Sequence, residues 1–135
     1  MSQENVEVVQ RVADAYNRHD VEAMLDELQP EIEWHPWLQV QLGGGATVYR
    51  GHHGVRAGIR DGEDAFSDVR AELSEIRDLG QRVVAIGRLR GRGRESGAMT
   101  ESSLAWIVEF RSGKVIRVRE YLDPEEALET VGLSE

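Results

Sequence analysis

The chain has 135 residues, 40% of them hydrophobic and 30% charged, which suits one folded domain with its own core. A formal net charge of −9 argues against a general binder of nucleic acid or anionic membrane, and the absence of cysteine excludes disulfides and thiolate chemistry. No apolar run approaches the roughly 20 residues of a membrane span, and MSQENVEVV lacks the basic and apolar regions of a signal peptide, so a cytoplasmic location is expected.

Helical spacing predicts a first helix over residues 5–18, with Val6, Val9, Ala13 and Tyr16 on one stripe and Val12 beside it. Ser2 or Asn5 is its expected cap. Asp20 reads as the N-cap of a second helix over 21–28, which buries Val21, Met24, Leu25 and Leu28. Pro30 is expected to close this helical pair. Residues 31–37 (EIEWHPW) read as a first strand, in which Ile32 and Trp34 alternate with Glu33 and His35. Pro36 suits an edge position or a strand end. A polar, glycine-rich loop over 39–45 leads to a short strand over 46–50. A third helix over 53–60 turns Val55 and Ile59 inward, and 61–68 reads as a turn-rich linker.

Residues 69–79 and 82–90 read as a hairpin around Gly80. Its second strand is partly apolar on both faces, so a central position is expected. Residues 91–97 (GRGRESG) form a loop. In the last hairpin Leu104, Trp106, Val108 and Phe110 alternate, as do Ile116, Val118, Glu120 and Leu122. A three-residue loop, Arg111-Ser112-Gly113, pairs Phe110 with Lys114, Val108 with Ile116, Trp106 with Val118 and Leu104 with Glu120. This register puts Glu120 on an apolar face beside Trp106. It puts Ile107, Glu109, Arg117, Arg119 and Tyr121 on the other. A two-residue loop would move Trp106 to that second face. A helix over 124–131 closes the chain, with Asp123 as N-cap and Pro124 at its first position.

The order is helix, helix, strand, strand, helix and four long antiparallel strands. With the stretches ENVEVVQRVADAYNRHDVEAMLDELQPEIEWHP, VYRGHHGVRAGI and GKVIRVREYLDPEEAL, it resembles the nuclear transport factor 2-like fold and, within it, the SnoaL-like family. The resemblance implies a cystatin-like α+β roll: a cone-shaped, curved, mixed or antiparallel sheet wrapped around N-terminal helices, with a pocket inside. It implies a small hydrophobic ligand and a homodimer formed through the outer sheet face, and it calls for no cofactor. The family holds isomerases, cyclases and hydrolases that use acid/base chemistry, and also binding domains without chemistry. The fold alone therefore licenses no reaction.

In the SnoaL-like cyclases the last strand carries an acidic acid/base residue a few positions after a Gly-Lys pair. Gly113-Lys114 followed by Glu120 looks like that arrangement. A carboxyl on an apolar wall near Leu104, Trp106 and Val118 has its neutral form favoured, which suits proton transfer near neutral pH. The alternative is a carboxylate paired with Arg88 or Arg90. By similarity, His35 stands before a proline where ketosteroid isomerase has its aspartate base. The alternative is a partly exposed edge-strand histidine. Where that enzyme has its oxyanion tyrosine and protonated aspartate, this chain has Val12 and Trp106, so its machinery is not expected here.

Tyr16 either reaches the cavity as a donor or belongs to the core. Trp34, Trp37, Tyr49 and Trp106 are candidate pocket walls, and Arg88 is a candidate ligand contact. Adjacent His52 and His53 cannot face one metal together, and no metal site is expected. The arginines of residues 88–94 lack interleaved aromatics and read as a solvated strand end rather than a nucleic-acid patch. Arg117 and Arg119 suit a dimer contact or a solvated sheet face.

Overall fold

The computed structural model describes residues 2–36 and 48–133. Trp37, the predicted loop over 39–45 and the first two residues of the predicted strand over 46–50 lie outside the described residues. In chain order the elements are α1 (Ser2–Asn17), α2 (Val21–Leu25), β1 (Leu28–His35), β2 (Tyr49–Arg50), α3 (Gly51–Ala65), β3 (Phe66–Asp78), β4 (Arg82–Gly93), β5 (Met99–Arg111), β6 (Lys114–Tyr121) and α4 (Pro124–Thr130). The strands form one six-stranded sheet in the order β2-β1-β6-β5-β4-β3. β1 runs parallel to β6, and every other neighbouring pair is antiparallel. The expected α+β roll with a mixed sheet is what the chain forms.

The sheet has two apolar faces, and each is covered by different helices. On the inner face Val83, Ala85, Val108, Phe110 and Val115 pack with Val8 and Val9 of α1, Leu25 of α2 and Val55 of α3. On the outer face Val84, Ala105 and Ile107 pack beneath Ala127 and Leu128 of α4. This two-sided burial is why β4 reads as apolar on both faces, and it is an inner strand, between β3 and β5. Fully burying a side chain such as Ile107 or Val83 stabilises the fold by about 1.5–3 kcal/mol.

The last hairpin departs from the expected register in two places. Ser112 (φ 52°) and Gly113 (φ 80°) form a two-residue loop between the paired residues Arg111 and Lys114. Two left-handed residues give the turn the twist that flanking strands need. Phe110 then faces Val115, but Glu109 faces Arg117, so Ile116 is the extra residue of a bulge. The shorter loop alone would have carried Trp106 to the outer face, and the bulge returns it. Trp106 therefore lies directly opposite Glu120, and Val108 opposite Val118. Val115, not Ile116, enters the core.

Other boundaries move for local reasons. α2 ends at Leu25, so Leu28 and Pro30 belong to β1 instead of closing a helical pair. Pro30 sits where the β1–β6 pairing shifts between Leu28 and Glu33, as a residue without an N–H requires. α3 continues to Ala65 and absorbs the predicted linker. Asn5 caps nothing: it is buried within α1, and its Nδ2 donates to the Gly80 carbonyl at 2.8 Å. Asp20 and Asp123 are the expected caps, accepting from the amides of Ala23 at 3.1 Å and Glu125 at 3.0 Å. Asn17 does what a neighbouring strand would do for edge strand β3. Its amide accepts from the Ala71 N–H and donates to the Ala71 carbonyl, both at 2.8 Å.

Candidate functional site

A cavity of about 490 Å³ lies between the inner sheet face and helices α1, α2 and α3. Its walls are mainly aliphatic and aromatic, and its inner wall carries Glu120. Three strands bring the polar atoms there together. Glu120 comes from β6, Trp106 stands opposite it on β5, and Trp34 lies beside Val118 on the parallel neighbour β1. The Trp106 indole Nε1 donates to Glu120 Oε2 at 3.0 Å, and Trp34 Nε1 donates to the same oxygen at 3.4 Å. An indole N–H can only donate, so this pair fixes Oε2 as an acceptor.

The Trp34 ring is held from behind. Its centroid lies 5.3 Å from that of Tyr49, with the planes tilted by 38°. The Tyr49 hydroxyl donates to Asp61 Oδ2 at 2.7 Å. Gly58 of α3 leaves space for both rings, since a Cβ there would fall 2.4 Å from Trp34 Cζ3 and 2.8 Å from Tyr49 Cδ2. Tyr16 lines the cavity from α1. Burial above all, and then the negative charges of Glu120 and Glu63, push its hydroxyl well above the usual tyrosine range. Tyr16 is therefore a neutral hydrogen-bond donor across the physiological range.

Of the sequence-predicted residues, Glu120, Tyr16, Trp34, Trp106 and Val118 share this cavity. Tyr49 is buried behind Trp34 and does not border it. Leu104 is buried opposite Gly87 and does not border it either. Arg88 points away: it binds Glu101 at 2.6 Å, and Arg90 is shared between Glu72 and Glu101 at 3.3 Å each. Both arginines are thus held on the outer surface by other carboxylates.

His35 also requires correction, because it alternates with Trp34 along β1 and so stands on the outer face beside Arg119. Its Nε2 lies 3.2 Å from Glu33 Oε1, within a cluster in which Glu33 also binds Arg50 at 2.6 Å and Arg117 at 3.3 Å. The His35 contact first, with help from Arg50 and Arg117, holds the Glu33 carboxyl below its ordinary value of 4.5. A group depressed in the folded state stabilises the fold above its unfolded value, and that contribution is lost as pH falls through the lowered value. Wild type and Glu33→Gln are expected to differ in urea midpoint at neutral pH and to converge in acid below the depressed value. A gap unchanged at about pH 2 would contradict this.

Sequence reasoning missed five polar residues that border the cavity: His19, Glu63, Ser67, Asp68 and Arg94. His19 and Asp68 hold left-handed backbone, with φ of 60° and 55°. This is uncommon for residues other than glycine: His19 adopts it in the turn after α1, and Asp68 adopts it where the β3–β4 pairing shifts between Ser67 and Arg70. Arg94 reaches back from the β4–β5 connection, where its Nε donates to the Glu63 carbonyl and its backbone N–H to Ala65 O at 3.1 Å. A second hollow, of about 500 Å³ between α1 and β3, has no aromatic wall among the described residues. Among the described residues no group of three or more His, Asp or Glu could hold a metal ion. Among them, too, no helix is long and apolar enough to cross a membrane.

A mixed sheet packed on helices, with an apolar hollow between them, defines the nuclear transport factor 2-like class of α+β roll. Within that class the chain belongs to the SnoaL-like family, whose domain matches residues 9–118. Solved structures agree on the fold. A nuclear transport factor 2-like protein of unknown function from Burkholderia pseudomallei superposes with a TM-score of 0.80 at 23% identity, covering 96% of this chain and 98% of that one. TerC, co-crystallised with polyporic acid, gives 0.79 at 23% identity, covering 93% and 96%. A protein proposed as a polyketide cyclase, from Xanthomonas campestris, gives 0.73 at 21% identity, covering 96% and 98%. No curated protein matches the chain.

Proposed function

We propose that this SnoaL-like protein binds a small hydrophobic molecule in the cavity and that Glu120 exchanges a proton with it. The observation that carries the reading is one carboxylate on an apolar wall, oriented by two indole N–H groups at 3.0 and 3.4 Å. The aliphatic walls take the ligand's skeleton. Tyr16, held neutral, donates to an oxygen on which negative charge develops, and the Glu120 carboxylate takes or returns the proton. This is acid/base chemistry of the isomerase, cyclase or hydrolase type. The co-crystal of TerC with polyporic acid lends support to the binding part. The test begins with mass spectrometry of small molecules carried through purification, followed by turnover of the identified molecule by wild type and by Glu120→Gln.

A second reading, binding without chemistry, is favoured by the position of His35. With that residue on the outer face, Glu120 has lost the second proton carrier expected beside it. This reading predicts affinity without product.

The outer sheet face is also proposed as a homodimer contact. α4 covers the part around Val84 and Ile107, which leaves the strip where Arg117 and Arg119 meet Glu33 and Glu109. Sedimentation is expected to show a concentration-dependent dimer that Arg117→Glu weakens. A monomer at every concentration would overturn the proposal.

A further inference from the structure

We infer that the ligand selected by this cavity is an apolar molecule carrying a protonated amine, with its ammonium group seated against Glu120 among Trp34, Trp106 and Tyr16. The inference rests on the cavity reading above and names the class of ligand. Among the described residues three carboxylates border the hollow, those of Glu63, Asp68 and Glu120, against the guanidinium of Arg94 and the imidazole of His19. That guanidinium is exposed and already engaged. It lies at the C-terminal end of α3, where the side chain and backbone of Arg94 donate to the Glu63 and Ala65 carbonyls. A cation in this place answers the negative end of the helix.

The field inside the hollow is accordingly negative. It is felt at Tyr16, whose hydroxyl is held protonated in part by the charges of Glu120 and Glu63. An anionic ligand would enter against that field. A neutral one would gain the apolar contacts alone. A cation on an apolar body gains from both, and the carboxylate offsets the cost of stripping water from the ammonium. Indole and phenol rings add a further attraction, because their electron-rich faces attract cations. The two indoles have their N–H edges committed to Glu120 Oε2, so the carboxylate and its aromatic neighbours form one preset unit.

The experiment is calorimetric titration of the full chain with three probes on one skeleton: 1-naphthylmethylamine, 1-naphthalenemethanol and 1-naphthoate. About 0.15 M salt screens the acidic surface beyond about 8 Å. The amine is expected to bind about 10-fold more tightly than the alcohol, and the acid most weakly. Glu120→Gln is expected to erase the advantage of the amine and leave alcohol binding in place. Glu63→Gln, an exposed change that keeps the fold, is expected to reduce the advantage about 2-fold. Glu72→Gln on the outer surface is the control and should change nothing. If amine and alcohol bind equally, the inference is overturned while the cavity reading stands. If none of the three binds, both are overturned.

Discussion

Glu120→Gln is expected to lower turnover of the cavity's ligand by about 10²–10⁴-fold, the range that a positioned acid/base group contributes. Glutamine has nearly the shape of glutamate and keeps a carbonyl oxygen for the Trp106 and Trp34 indoles. It cannot take up a proton, so the substitution removes the chemistry and leaves the scaffold. Urea midpoints should accordingly stay close to wild type. Glu120→Leu supplies the contrast. It strands two indole donors in a half-buried site, at a cost of up to about 1–3 kcal/mol for each donor left without a partner. A turnover that survives in the glutamine chain would remove Glu120 from the chemistry and leave the non-catalytic reading. A turnover lost in both chains, with stability lost only in the leucine chain, is the signature of a proton carrier.

Which residues share a face was legible in the alternation along β5 and, beyond the bulge at Ile116, along β6, because side-chain direction in an unbroken strand follows parity. The pairing itself was not legible. A two-residue turn and a one-residue bulge each shift the register by one, and beyond Ile116 their effects on parity cancel. Arg-Ser-Gly-Lys-Val-Ile reads equally well as a three-residue loop. Glu120 and Trp106 were therefore placed on the right face as neighbours, but their direct pairing across the strands emerges only from the fold. His35 shows the reverse. Its alternation with Trp34 already put it outside, and the family resemblance drew it in. The residues at the cavity border were least legible, since Glu63, Asp68 and Arg94 converge only because α3 runs on to Ala65 and β4 to Gly93. Those extensions depend on tertiary packing, which a window of local sequence does not contain.

The sharpest structural prediction sets two glycines of α3 against each other. Gly58 and Gly62 lie four residues apart, on one face of one helix. Intrinsic propensity favours alanine at each by about 1 kcal/mol. At Gly62 an added Cβ meets nothing within 4 Å among the described residues, so Gly62→Ala is expected to stabilise the chain by about 0.5–1 kcal/mol. At Gly58 the same methyl falls 2.4 Å from Trp34 Cζ3 and 2.9 Å from its Cε3. The ring cannot retreat without disturbing its contacts with Tyr49 and Glu120. Overpacking of this kind costs about 1–3 kcal/mol, enough to reverse the gain from propensity. Gly58→Ala is therefore expected to lower the urea midpoint and change the tryptophan emission, while Gly62→Ala raises the midpoint and leaves the emission alone. Equal stabilisation by both alanines would mean that Trp34 is not pressed against α3, and the grip on Glu120 would then rest on Trp106 alone.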